Sequence, residues 1–441
     1  MEHDMDGLVH DVFGIHSTEE PICGESERIP EVSENSKFYE FVKENEQMLY
    51  PNCMKYIKLS FMVHLYHLKC LHGWSDKSFS MLLDLLRYAL PEENVLPKSY
   101  YETKKIVSGL CFGYEKIHAC PNDCILYWDK YAKYEGCPKC STSRWKITNE
   151  DVQGNGMETS ERRKKIPAKI LRWFPLKPRL QRLYMSSKVA ESRRWHHESR
   201  LNDGSLRHLA DSLSWKNFDA RYPTFSLDPR NVRFRVASDG FNPFKTMSIT
   251  HSTWPVILIP YNLPPWMCMK QPYFMLSLLI LGPKGPGNNI DIYLQPLVQE
   301  LQELWDDGIE TFDAYKKETF QLRAAMMWTI NDFPTYANLF GWSTKGQYAC
   351  PCCGIETTSQ WLRHGKKICY MGHRRWLSPK HKWRLNSRDI DGTRELRSPP
   401  KRLDGIDILR QIDECRKERS SKWSTTLEKE EHFLHIALLA I

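Results

Sequence analysis

The chain is predicted to be an α/β protein, and three observations predict it. Val232 to Ala237 alternates apolar with basic residues, the period of a half-buried strand. Two strongly apolar runs follow, Trp254 to Pro260 and Tyr273 to Leu281. A stretch of helical period, Ile290 to Trp305, then leads to a fourth apolar run, Phe320 to Ile330.

Composition bounds the rest. The 441 residues allow roughly two to four domains with real cores. A net charge of +8 permits a nucleic-acid partner without requiring one. The opening MEHDMDG is acidic and has no apolar h-region, so no secretory signal is expected. No apolar run approaches the roughly 18 residues of a membrane span. Fourteen cysteines in that context read as thiols and metal ligands of a reducing compartment, cytoplasm or nucleus.

Residues 1–45 are acidic and weakly patterned, a disordered lead-in. Residues 46–115 read as a helical domain. Met54 to Leu71 carries Ile57, Phe61, Leu65 and Leu68 at helical spacing, and Gly73 stops it. Ser75 caps a second helix, Asp76 to Leu90, with Phe79, Leu82, Leu83 and Leu86 on one face; Ser99 caps a third, through Leu110. The trio fits a helix-turn-helix or a plain bundle, the third helix offering only Lys104 and Lys105 as exposed cations. His64, His67, His72 and Cys70 offer possible metal ligands, although surface or core histidines explain them as well.

Residues 116–150 hold the sharpest local signal. Cys120 and Cys124, then twelve residues, then Cys137 and Cys140 give two close pairs able to wrap a tetrahedral Zn²⁺. Four cysteines leave no open coordination position, so the role would be structural, with Gly136 easing a turn and His118 a spare donor. Residues 151–200 read as a basic linker. Arg162, Arg163, Lys164 and Lys165 fit a nuclear import signal. With Arg172, Arg179 and Arg182, and with Trp173, Phe174, Tyr184 and Trp195 between the cations, they suit phosphate contact and base stacking; a solvated linker packed on its neighbour is the competing reading.

The core is expected over residues 201–345. Asp239 ends its first strand beside Gly240, and Asp332 follows the fourth run, which reads as a buried central strand. The order strand, strand, strand, helix, strand matches a ribonuclease-H-like sheet, whose first and fourth strands are neighbours; two carboxylates there could share divalent ions. Asp332 as a helix N-cap is the alternative. A second zinc knuckle is expected over 346–385 from Cys350, Cys353, Cys369 and His373, with Cys352, His364 and His381 competing as ligands. From residue 386 to 441 the chain is charged and weakly patterned, ending in the apolar HFLHIALLAI.

Several stretches together resemble one family: GWSDKSFSMLLDLL, YEKIHACPNDCILYW, RLQRLYMSSKVAESRRWH, SDGFNPF, STWPVILIPYNLPPWMCMK, NDFPTYANLFGWSTKG and CYMGHRRW. They are similar to the transposase of plant CACTA (En/Spm-type) DNA transposons, from about Tyr50 to about Trp383. The resemblance implies a nuclear DDE/D-type transposase with an incomplete ribonuclease-H-like core, Mg²⁺ or Mn²⁺ at the catalytic acids, two structural Zn²⁺, and double-stranded transposon ends as partner. A homo-oligomer or other element-encoded proteins are further possible partners. By motif, SDGFNPF supplies Asp239 and NDFP supplies Asp332. The third acid is expected in a later segment like HNLDVMHIEKNV, which the sequence does not contain; Glu395, Asp404, Glu414 and Glu431 stand in no matching context. The expectation is therefore a truncated copy that binds DNA but does not transpose alone. The alternatives are a non-catalytic DNA-binding derivative and, more weakly, a protein-interaction module built on zinc knuckles.

Overall fold

The computed structural model describes residues 47–109, 114–146, 165–244, 251–332, 346–350, 353–390 and 392–401, with isolated positions outside these ranges. The lead-in, Arg162, Arg163, Lys164 and Cys352, and most of the tail, for which roles are expected above, lie outside the described residues.

The amino-terminal part is helical, as its periodicity requires. Helices α1 (Lys58–His72), α2 (Asp76–Ala89) and α3 (Tyr100–Gly109) follow in order. Gly73 ends α1 in the left-handed region, at φ 64°, where a side chain would be strained. The Ser75 hydroxyl accepts from the Ser78 N–H at 3.0 Å and caps α2. The buried faces meet around Leu49, Met62, Leu65, Phe79, Leu83 and Leu96. Lys104 and Lys105 are exposed on α3.

Six strands form the main sheet: β1 (Glu115–Ala119), β2 (Lys169–Trp173), β3 (Val232–Ser238), β4 (Thr253–Pro260), β5 (Met275–Leu281) and β8 (Ala324–Ile330). Their order is β1-β2-β5-β4-β3-β8. The chain lays β3, β4 and β5 down as an antiparallel meander. After the long helix α7 (Ile290–Asp306), β8 returns parallel to β3. Val232, Phe234 and Val236 on β3 point to one face and join Leu294, Leu297 and Leu301 of α7 in the largest core. The opposite face carries a second core, around Trp215, Phe218, Tyr261 and Met327.

Two expectations change. The apolar run Phe320 to Ile330 is not one strand. Its first residues belong to β7 (Glu318–Leu322), which pairs with β6 (Ile309–Asp313) in a separate hairpin, and only Ala324–Ile330 enters the main sheet. Among the described residues β8 stands at the sheet edge rather than in its centre. The basic stretch is also more than a linker. Lys169–Trp173 pairs with both β1 and β5, because Leu171 is fully buried and anchors the segment in the core. Helices α4 (Lys177–Met185) and α5 (Ser187–Ser192) continue it, burying Leu180, Tyr184, Val189 and Ala190. The described cations of this stretch are thus mostly half-buried parts of packed elements; Lys165 and Lys188 are exposed and Arg193 is fully buried.

No helix of the described residues is long and apolar enough to cross a membrane.

Candidate functional site

The four-cysteine cluster forms at the end of β1. Cys120 leaves the strand into a tight turn in which the Asp123 N–H donates to the Cys120 carbonyl at 3.0 Å. Asp123 adopts φ 57°, a left-handed conformation that aspartate tolerates. The second pair repeats the device: the Ser141 N–H donates to the Cys137 carbonyl at 2.8 Å, with Ser141 at φ 57°. Asp123 and Ser141, not Gly136, are the residues these turns place in left-handed conformations; Gly136 instead bridges to Ser143.

The four sulfurs lie within 4.8 Å of one another, Cys120 and Cys140 at 3.5 Å. A tetrahedral ion with bonds of about 2.3 Å sets its sulfurs about 3.8 Å apart, so the arrangement fits a metal such as zinc. The Asn122 N–H donates to Cys120 Sγ at 3.4 Å and its side-chain amide to Cys140 Sγ at 3.5 Å, which suits sulfurs carrying thiolate charge. Burial pushes the Cys120 thiol up to about 11 and Cys124 higher still, whereas the Thr142 hydroxyl holds Cys140 down to about 6. Buried thiols that resist ionisation need a cation to become thiolates together. His118 is no ligand of this group: its Nδ1 accepts from Arg144 Nε at 2.8 Å.

One residue that sequence reading passed over ties this cluster to the core. Asp123 accepts from Lys169 on β2 and from the Tyr293 hydroxyl on α7. Its place inside the CPNDC motif is the only signal the sequence offers for it.

The candidate acids stand elsewhere. Asp239 follows β3 directly, is exposed, and accepts from the Gly240 N–H at 2.7 Å. Asp332 lies two residues past β8 and is also exposed. The parallel register pairs Arg235 with Trp328 and Ala237 with Ile330. Carried two residues on, that register sets Asp239 level with Asp332. A bulge makes this so. Phe234 pairs with Met326 but Arg235 with Trp328, so Met327 is an extra residue on β8. An unbulged register would set Asp239 level with Asn331. By strand alternation both acids share the face of Arg235 and Trp328, next to the second core.

Glycine has a specific use beside Asp239. A Cβ on Gly240 would meet the Trp254 indole nitrogen at 2.5 Å, and one on Gly285 would meet it at 2.4 Å. The indole donates to Ser252 Oγ at 2.7 Å and wedges between the two turns.

The second cysteine group is only partly assembled. Cys350 and Cys353 sit side by side in a turn where the Gly354 N–H donates to the Cys350 carbonyl at 2.9 Å. Cys369 lies on β10 (Lys367–Tyr370), which pairs with β9 (Ser359–Leu362), and His373 opens a short 3₁₀ helix. Among the described residues no set of three or more ligand atoms within 4.8 Å includes any of these four residues.

The predicted DNA-contacting residues have varied employment. Arg179 is committed to the fold: its guanidinium donates to the carbonyls of Pro175, Leu276 and Phe174 at 2.9, 2.8 and 2.6 Å, and burial lowers it to about 10. Lys165 pairs with Glu135 at 3.0 Å. Arg172 lies over the Tyr114 ring at 5.3 Å, and Arg182 is partly buried on α4. Glu395, one of the tail acids, is bound to Arg397 at 2.6 Å and nearly buried.

Residues 203–415 match the transposase family tnp2. The matched stretch spans β3 through β10, and so contains Asp239, Asp332 and the second cysteine group. The four-cysteine cluster lies before it. No curated protein matches the chain.

Proposed function

We propose that this protein is a DDE-type transposase of the CACTA kind with a ribonuclease-H-like core, acting on DNA in the nucleus. The observation that carries the reading is the register that brings Asp239 level with Asp332 on neighbouring parallel strands, inside the transposase-family match. The antiparallel meander followed by a parallel fourth strand supports the fold assignment.

Asp239 and Asp332 offer hard carboxylate oxygens on one face, a donor set suited to Mg²⁺ or Mn²⁺. Such an ion supplies Lewis-acid activation of a water or hydroxyl and of the scissile phosphate. The chain's own part is to hold the carboxylates in place. The Met327 bulge sets their level, and the Trp254 wedge fixes the turn after Asp239. Glu395 is not free to complete the acid set, because Arg397 holds it. The four-cysteine cluster would hold a structural Zn²⁺, locking β1 to β2 and α7 through Asp123.

The test is binding of the full chain to duplex DNA across a salt series, followed by incubation with Mn²⁺ and DNA bearing element ends. A linear fall of log affinity with log salt is expected, since phosphate contacts release counterions. Salt-independent binding would refute the DNA assignment. Nicking that disappears in Asp239→Asn would assign strand cleavage to this chain.

A further inference from the structure

We propose that Phe241 is a stacking platform for an unpaired base of the DNA strand held at Asp239 and Asp332. The inference rests on the transposase reading and names the part of the substrate that lies beside the acids.

The register between β3 and β4 runs past Asp239 without a break. Ser238 pairs with Val256, and Phe241 with Thr253, three residues further on each side. Asp239 and Phe241 therefore lie on one face, about 6.6 Å apart at ~3.3 Å per residue. The Phe241 N–H donates to the Thr253 carbonyl and the Thr253 N–H donates back, both at 2.9 Å. A backbone so paired holds the ring in place, yet the residue is 51% exposed. Phe244, also more than half exposed, meets the His251 ring edge-on at 5.2 Å. Neither phenylalanine belongs to the cores on the two faces of the sheet.

The same face carries a matching charge. Helix α6 (Leu213–Arg221) closes one end of it, with Trp215 stacked on Trp328 at 6.1 Å. Beyond Trp328 the face opens, with Ala237 half-buried and Ile330 exposed. Arg235, level with Trp328, lies over the Tyr261 ring at 5.1 Å and meets Met269 Sδ at 3.7 Å; among the described residues no carboxylate pairs with it. Cation, acid and aromatic ring thus follow one another along a single strand over about 20 Å, with only the small Ala237 between Arg235 and Asp239. A cation without a counter-charge suits a backbone phosphate, and an exposed ring suits a base. Two base steps of ~3.4 Å match the spacing from Asp239 to Phe241. A base inside a duplex has both faces covered by its neighbours, so the base that reaches the ring is an unpaired one.

Fluorescence anisotropy of the full chain in Ca²⁺ should compare a blunt duplex with the same duplex carrying a single-stranded extension of about six nucleotides that includes 2-aminopurine. The extended duplex is expected to bind about tenfold more tightly, with its 2-aminopurine quenched. Phe241→Ala should remove the preference and the quenching, Phe241→Trp should restore both, and Phe312→Ala on β6 should change neither. Blunt-duplex binding should be the same in all four proteins. Because the ring is half exposed, Phe241→Ala should melt as the parent does, and the tryptophan variant controls for a folding defect. No preference in the parent, or parental preference and quenching in Phe241→Ala, would overturn the proposal. So would a change of sedimentation mass in Phe241→Ala with DNA binding unaltered, which would assign the ring to a protein contact. Blunt-duplex binding without any preference removes this inference alone; a parent that binds neither duplex removes the transposase reading with it.

Discussion

Ala237 and Ile330 face each other across the parallel strands β3 and β8, and each stands two residues ahead of an aspartate. The pairing depends on Met327, inserted between the partners of Phe234 and Arg235. Strand residues alternate faces, so a slip of one residue would send Asp239 and its neighbour to opposite sides of the sheet. A bulge that re-aims a side chain at a sheet edge is a common way of building a site.

The cysteine cluster predicts a metal count. Metal analysis of the purified chain should lose one equivalent of Zn²⁺ on Cys137→Ser, since four sulfurs gather at this point. Chelation should lower the unfolding midpoint, because metal binding to a site absent from the unfolded chain is folding free energy. An unchanged zinc content in Cys137→Ser would count against the site.

Asp123 joins that cluster to two other elements. Asp123→Asn keeps a residue that tolerates φ 57° but removes the charge that Lys169 and Tyr293 use. With both ionic side chains more than four-fifths buried, a loss of about 2 kcal/mol in denaturant unfolding is expected. Stability equal to the parent would show that the junction does not bear on the fold.

Gly285 is constrained by the Trp254 indole. Gly285→Ala would place a methyl group 2.4 Å from Trp254 Nε1, so the indole must move. Overpacking of this kind costs about 2 kcal/mol. The displacement should reach the Asp239–Gly240 turn as well, visible as shifted amide resonances there. A variant with parental stability and an undisturbed Gly240 would contradict the wedge.

His196 gives the molecule a pH dependence of definite sign. Its ring is buried and held near 3, whereas in the unfolded chain it titrates at about 6.5. Between those values the unfolded state binds more protons, so stability falls as pH falls below about 6.5. The contribution at pH 5 is about 2 kcal/mol relative to neutral pH. His196→Gln should flatten the curve of unfolding free energy between pH 7 and 5. His208, also lowered by burial, supplies part of the remaining slope.

Much of this was legible in the sequence because it is local. Apolar spacing gives α1, α2 and the meander β3 to β5, and serine caps fix helix starts within a residue or two. The close pairs Cys120/Cys124 and Cys137/Cys140 reveal a cluster, since each pair is its own turn. What escaped is non-local. The basic stretch hides β2, because Lys169 and Arg172 mask a strand held by one buried leucine and by distant β5. The run Phe320 to Ile330 conceals a break at Arg323, since Leu322 and Ala324 are equally apolar on either side of it. Arg179 looks like a DNA contact in a list of cations, yet three carbonyls claim it, two just past β2 and one on β5. No periodicity announces the Met327 bulge.

The most direct test of the central claim is Mn²⁺ binding by the zinc-loaded chain, followed by isothermal titration and by water proton relaxation. Asp239→Asn and Asp332→Asn should each weaken the saturable Mn²⁺ site at least tenfold while leaving the melting profile in place. Parental Mn²⁺ affinity in either variant would mean that the two carboxylates do not share an ion.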